Sequence, residues 1–180
     1  DKAQTQQFFE KNGFGVPRLY TKEDIEAKNY TFPLFIKPSD GSSSINTFKV
    51  KNEAELQFFL NYVDKPLVQE YIEGTEFSVD TFCDFDSKPI SIVVRRRIAT
   101  RSGEITKGEI VKDEALQSEI LRMLEVLRPT GPVTIQCMRT KTGIKYIEIN
   151  PRFGGGAPMS IAAGANLCEY LYRLLMGEKL

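Results

Sequence analysis

Apolar residues along this chain fall into two alternating rhythms, one of about three to four residues and one of two, which predict helices and strands in turn. Thr5, Phe8 and Phe9 mark a first helix that Gly13 ends. The pair Asn52 and Glu55 has capping-box spacing and opens a second helix, with Leu56, Phe59, Leu60 and Val63 on one face. Asp113 caps a third, whose stripe is Leu116, Ile120, Met123, Leu124 and Leu127, and Pro129 stops it. Asn166 and Glu169 cap a last helix bearing Leu167, Leu171, Leu174 and Leu175, and Gly177 sits where a C-terminal cap glycine belongs.

Strands are predicted between these helices, at Leu34–Lys37, Thr47–Val50, Leu67–Ile72, Glu76–Cys83, Pro89–Arg97, Val133–Met138 and Ile144–Asn150. Two pairs have hairpin form: Glu76–Cys83 with Pro89–Arg97 around Asp84–Lys88, and Val133–Met138 with Ile144–Asn150 around Arg139–Gly143. Helices mixed with neighbouring strand pairs indicate an α+β class (α/β in the broad sense) with largely antiparallel sheets, not a Rossmann alternation.

Composition narrows the chemistry. The 180 residues carry 24 Lys+Arg against 24 Asp+Glu, so bulk charge supplies no attraction to nucleic acid or an anionic membrane. There is no histidine, which removes Ser-His-Asp and Cys-His catalysis and His-ligated zinc. Cys83, Cys137 and Cys168 are odd in number and widely spaced, which argues against a disulfide framework. No run approaches the ~18 apolar residues of a membrane span, and no signal-peptide pattern is present, so the expected compartment is the cytoplasm. The chain opens at Asp1, inside an amphipathic stretch, and reads as a piece of a longer protein.

Three stretches can carry chemistry. In Tyr146-Ile147-Glu148-Ile149-Asn150-Pro151-Arg152, strand alternation sends Ile147 and Ile149 inward. Glu148 and Asn150 then share the opposite face, roughly 6.5–7 Å apart. A carboxylate beside an amide offers hard oxygen ligands suited to Mg²⁺, and Arg152 follows as a permanent cation. Gln136, on the preceding strand and the same face as Thr134, can join them across the hairpin. An exposed polar strand edge is the competing reading. In the second stretch, Lys37 ends an apolar strand just before the Gly/Ser loop 39–44, whose backbone N–H groups and hydroxyls suit phosphate oxygens; a plain surface turn competes. In the third, Leu67–Asp80, a connector exposes backbone groups able to read an adenine edge, with Glu70 and Glu76 placed for an amino group and ribose hydroxyls. A hairpin with scattered carboxylates competes here.

Together and in this order, FPLFIKPSDGSSS at 32–44, LVQEYIEGTEFSVD at 67–80, VTIQ at 133–136 and YIEINPRFGGG at 146–156 resemble the ATP-grasp superfamily, above all its carbamoyl-phosphate-synthetase-like branch. The resemblance implies two lobes with largely antiparallel sheets that clasp ATP between them, the smaller roughly 16–70 and the larger roughly 71–180. It implies nucleotide contacts by Lys2 and Lys37, a phosphate-covering loop with Ser42, Ser43 and Ser44, and an adenine-reading connector at Glu70, Tyr71 and Ile72. It also implies a ribose contact at Glu76 and magnesium ligands Gln136, Glu148 and Asn150, with two ions expected and Mn²⁺ able to substitute. Lys37 and Arg152 take the catalytic roles, Arg152 by stabilising the transferring phosphoryl group.

The implied reaction is phosphoryl transfer from ATP to a small carboxylate, giving an acyl phosphate for attack by an amine. A bicarbonate-phosphorylating enzyme like carbamoyl phosphate synthetase or biotin carboxylase is the alternative, and a non-catalytic nucleotide-binding module is a third reading. An N-terminal substrate domain is expected to be missing from the chain, so that the fragment can bind ATP without turnover and any homo-oligomer forms through missing regions. The run Arg95-Arg96-Arg97 is divided by alternation, Arg95 and Arg97 on one face and Arg96 on the other. Either a solvated edge or a reach of Arg97 or Lys107 into the cleft fits that pattern.

Overall fold

The computed structural model describes residues 2–40, 45–101 and 103–180. Its elements are α1 (Lys2–Lys11), β1 (Leu19–Tyr20), α2 (Lys22–Glu26), β2 (Leu34–Pro38), β3 (Phe48–Val50), α3 (Glu53–Tyr62), β4 (Pro66–Glu70), β5 (Thr75–Cys83), β6 (Pro89–Arg101), β7 (Glu104–Ile110), α4 (Glu114–Leu127), β8 (Gly131–Thr140), β9 (Gly143–Asn150), α5 (Ala157–Ala162) and α6 (Leu167–Leu175). The strands form a four-stranded sheet in the order β1-β4-β2-β3 and a five-stranded sheet in the order β7-β6-β5-β8-β9. Every strand pairing is antiparallel, as expected for the α+β class.

The smaller sheet buries one apolar side under α3. Leu34, Ile36, Val50, Leu56, Val63 and Val68 form its core, with Phe48 and Phe59 stacked at 4.1 Å between ring centres. Asn52 caps α3 by accepting from the Glu55 N–H at 3.0 Å, while the Glu55 carboxylate reaches the Lys51 N–H at 2.7 Å, one residue upstream of the expected reciprocal partner. Strand β4 ends at Glu70, two residues before the predicted Ile72, so Tyr71 and Ile72 belong to the connector between the sheets.

The larger sheet is covered on both sides. On one side α1 and α4 pack Phe9, Phe14, Leu116, Ile120, Met123 and Leu124 against Phe77, Val79, Val94, Ile135 and Tyr146. Each such fully buried aliphatic or aromatic side chain stabilises by about 1.5–3 kcal/mol. Helix α1 precedes the smaller sheet in sequence, yet it packs here: Phe9 and Phe14 contact Tyr146 at 5.4 and 5.5 Å between ring centres, and the Tyr146 N–H donates to the Gly15 carbonyl. On the other side lie α5 and α6, whose Ala157, Leu167 and Leu174 cover Phe82.

A polar cluster is built into that second side. Asp80, fully buried on the central strand β5, accepts from Arg95 Nε at 2.7 Å and Nη2 at 3.0 Å, from Thr134 Oγ1 at 2.9 Å and from Ser160 Oγ at 2.6 Å. Its partners come from β6, β8 and α5. Asp80→Ala is expected to destabilise the protein by about 3–5 kcal/mol, because Arg95 would stay buried without a counter-charge. In urea unfolding the double variant Asp80→Ala/Arg95→Met should recover at least half of that loss.

Candidate functional site

The register of β8 and β9 sets Gln136 opposite Glu148 and Thr134 opposite Asn150. The three predicted metal ligands therefore share one face of adjacent strands, the side that also carries Asp80 and Arg95. Alternation sets Glu148 and Asn150 on that face, and it is broken just before them. The register shifts between Gln136 and Cys137, so that Cys137 pairs with Tyr146 and Ile147 is the extra residue. Tyr146, buried at 1% exposure, fills the core position, and the expected inward turn of Ile147 is corrected to a half-buried bulge outside the core clusters. Beyond the bulge Ile149 packs against the core, and Glu148 and Asn150 take the opposite face.

Arg152 follows, exposed, with its backbone N–H donating to the Asn150 carbonyl at 2.8 Å and Nη1 to the Phe153 carbonyl at 3.0 Å. The run Gly154–Gly156 then passes close over the polar cluster. A Cβ on Gly154 would collide with the Thr134 and Asp80 oxygens, and one on Gly156 with the Arg95 guanidinium, so only glycine permits this approach.

Arg97 joins several of these groups. Its Nη1 donates to Glu76 Oε1 at 2.5 Å and lies 3.4 Å from Gln136 Oε1, while Nη2 donates to the Gly103 carbonyl at 2.6 Å. Burial raises the Glu76 carboxyl above the ordinary range more than the Arg97 guanidinium lowers it. Arg96 points outward to a salt bridge with Glu109, as alternation requires, and Lys107 is exposed.

Lys37, at the end of β2 in the smaller sheet, is largely buried. Desolvation above all, and then repulsion from Lys2, push its ammonium down to about 8, while the Glu148 carboxylate opposes the shift. These two lysines and Glu148 are thus within electrostatic reach of one another. Lys2 Nζ donates to the Pro38 carbonyl at 2.9 Å, which fixes it beside the strand that carries Lys37.

The connector residues are engaged elsewhere. Glu70 Oε2 accepts from the Arg18 N–H at 3.1 Å, and the Glu70 N–H donates to the Arg18 carbonyl at 2.8 Å. Tyr71 lies under the Lys49 ammonium at 3.9 Å from the ring centre, and Ile72 is half-buried. Ser42, Ser43 and Ser44 lie outside the described residues. The buried thiols do not supply a nucleophile: burial pushes Cys83 up to about 11 and Cys137 to about 12.

As a metal seat the arrangement has one carboxylate and two amide oxygens, a hard donor set that suits a magnesium ion arriving with phosphates. Among the described residues no group of three His, Cys, Asp or Glu gathers that could hold a metal without such help. Nor is any helix among them long and apolar enough to cross a membrane. Sequence reasoning placed Arg95 and Arg97 on one face but did not find Asp80 or Ser160. An aspartate between Val79 and Thr81 in a strand of alternating apolar residues was the available signal.

Comparison with known proteins agrees with this geometry. A D-alanine–D-alanine ligase of Marinomonas sp. is 32% identical over 103 residues, covering 51% of this chain and 32% of that protein. The carbamoyl phosphate synthase large chain of Agathobacter rectalis is 25% identical, covering 99% of this chain and 19% of that protein. The chain thus spans a third or less of these two relatives. Among solved structures, the biotin carboxylase domain of Hydrogenobacter thermophilus 2-oxoglutarate carboxylase, in complex with MgADP, ADP and bicarbonate, superimposes with a TM-score of 0.80. It is 18% identical and covers all of this chain and 46% of its own. The D-alanine–D-alanine ligase of Bacillus anthracis gives 0.70 at 21% identity, covering 98% and 66%. A family profile described as an ATP-grasp domain matches residues 1–156, and with that match the chain belongs to the ATP-grasp family.

Proposed function

We propose that this chain is the Mg·ATP-binding portion of a ligase that phosphorylates a small carboxylate to an acyl phosphate, which an amine then attacks. The observation that carries the reading is the convergence of Gln136, Glu148 and Asn150 on one face, with Arg152 next to them, Lys37 of the smaller sheet within electrostatic reach of Glu148, and Lys2 of α1 beside Lys37. Oxygen donors and cations alternate there as a polyphosphate with its counter-ions requires. Gln136, Glu148 and Asn150 would hold magnesium, one or two ions, with manganese able to replace it, and the metal would neutralise charge on the phosphoryl oxygens. Lys37 from the smaller sheet and Lys2 from α1 orient the phosphates, Arg152 faces the group in transfer, and Glu76, held by Arg97, binds the ribose. Ser42, Ser43 and Ser44 would supply hydroxyl donors to the phosphates, and Glu70, Tyr71 and Ile72 would border the adenine. No proton has to pass through an imidazole, in keeping with a chain that has none.

Glu148→Ala, Asn150→Ala and Lys37→Ala are each expected to weaken Mg·ATP binding at least about tenfold, some 1.4 kcal/mol, in calorimetric titrations. Unchanged affinity in all three overturns the assignment. Bicarbonate as the phosphorylated group is the second reading, favoured by the carboxylase-domain structure of the same fold, which is a complex with MgADP, ADP and bicarbonate. Phosphate release by the full-length protein separates the two: stimulation by bicarbonate selects the second, stimulation by amino acids the first.

Lys37 also predicts a trade between stability and binding. Its folded value of about 8 lies below the ordinary 10.5, so the folded state disfavours the charged form. Between those two values the unfolded chain holds a proton that the folded chain has lost, and stability rises with pH. Lys37→Met should therefore stabilise the fold at pH 7 by on the order of 2 kcal/mol, seen as a higher thermal midpoint, and the gain should fade as pH climbs from about 8 to 10.5. Mg·ATP binding to the unaltered chain at pH 9 should take up a proton, seen as a dependence of the calorimetric heat on buffer ionisation enthalpy.

A further inference from the structure

The two faces of the smaller sheet differ in character. Leu34, Ile36, Val50 and Val68 point into the core under α3, so alternation turns Phe35, Lys37, Lys49 and Gln69 to the opposite side. That side looks onto the cleft, since it carries Lys37, which lies within electrostatic reach of Glu148. Register sets Phe35 between Lys49 on β3 and Gln69 on β4. The Lys49 side chain nevertheless reaches past Phe35 to the connector between the sheets. Its ammonium lies 3.9 Å from the centre of the Tyr71 ring and 3.3 Å from Glu73 Oε1. The Tyr71 ring in turn stands 6.5 Å from that of Phe35.

Residues 71–74 lie outside both ladders, because β4 ends at Glu70 and β5 begins at Thr75. Their direction therefore depends on contacts at a few points. At one end Glu70 shares two hydrogen bonds with the Arg18 backbone. At the other, Gly74 passes so close to the Arg139 carbonyl that a Cβ there would collide with it. Between these anchors Lys49 holds two residues at once, the Tyr71 ring by cation–π contact and the exposed Glu73 carboxylate by a salt bridge. One side chain of the smaller sheet thus grips the middle of the segment that joins the sheets.

We infer that Lys49 is a positioning residue for base recognition: by holding Tyr71 and Glu73 it sets the connector against which the nucleobase is read. The inference rests on the proposed ligase reading, in which Glu70, Tyr71 and Ile72 border the adenine. Alternate residues of an extended segment share a side, so a grip on Tyr71 and Glu73 directs Ile72 the other way and fixes the backbone groups beside it. Lys49 acts through the connector, and its own contacts are spent there. An arginine at this position keeps the function, because a guanidinium stacks on an aromatic ring and pairs with a carboxylate. The rival role is that of a further cation for the phosphates, on the same face as Lys37. The two roles part company over a ligand that has phosphates and no base.

The test is calorimetric titration of the chain and its variants with Mg·ATP, Mg·ITP and Mg·tripolyphosphate, the second carrying a carbonyl in place of the adenine amino group and the third no base. Lys49→Ala is expected to weaken Mg·ATP about fivefold, the size of a lost cation–ring contact, and to narrow the preference for ATP over ITP. Its affinity for Mg·tripolyphosphate should stay as it was, and Lys49→Arg should restore ATP binding. Glu73→Gln should weaken Mg·ATP in the same direction, and combining it with Lys49→Ala should cost less than the sum of the two. Unchanged ATP affinity in Lys49→Ala, an equal loss for tripolyphosphate, or full additivity with Glu73→Gln overturns the assignment. If Lys49→Ala does not fold, Glu73→Gln decides by the same comparison of ATP with tripolyphosphate. Failure of the unaltered chain to bind either ligand removes the ligase reading, whereas binding of both with no base-dependent loss in the variants removes only the role of Lys49.

Discussion

The pair of Asp80 and Arg95 is the constraint around which the larger sheet is organised. A buried carboxylate is tolerated when its oxygens are matched by hydrogen-bond donors and a counter-charge. Asp80 meets that condition through two N–H donors of Arg95 and the hydroxyls of Thr134 and Ser160, which belong to three other elements. The cluster therefore fixes β6, β8 and α5 relative to β5 more sharply than apolar contact could, because hydrogen bonds have direction. The glycine run descends onto this fixed platform, and its close approach determines where Arg152 and the loop beyond it stand.

A chain with equal numbers of acids and bases can still be strongly polarised where it works. Lys37 is held charged against its own burial, with Lys2 adding to the strain and Glu148 relieving part of it. Arg97 is matched by Glu76, and Arg95 by Asp80, so the cluster beneath the glycines is built of paired charges. An even count over the whole chain thus says nothing about the local field in the cleft.

Much of this architecture was legible from residue order. The hairpins β5–β6 and β8–β9 follow from alternation around turn-forming residues, and the caps at Asn52, Asp113 and Asn166 lie where their side chains accept from the third residue onward. Strand β7 was not legible, since its Lys and Glu residues suit an exposed edge as well as a loop. Nor were β1 and α2, too short to show a period, or α5, where Pro158 and small residues mask the helix. The cleft followed the same division. Glu148, Asn150 and Arg152 are neighbours in one short motif, and their common face could be read directly. The link from Ser160 to Asp80 spans eighty residues and exists only because α5 folds back onto the sheet, a fact of packing that no local pattern encodes.

The extra residue at Ile147 divides β9 into two runs of opposite phase. Gly143 to Tyr146 keeps time with the aromatic core, and Glu148 to Asn150 keeps time with the cleft. A change in residue count before the bulge can be absorbed by the turn at Thr140–Gly143, leaving the cleft in step. The same change after it would reverse which side chains face the ligand. The stretch from Glu148 onward is thus phased independently of the core half of the strand.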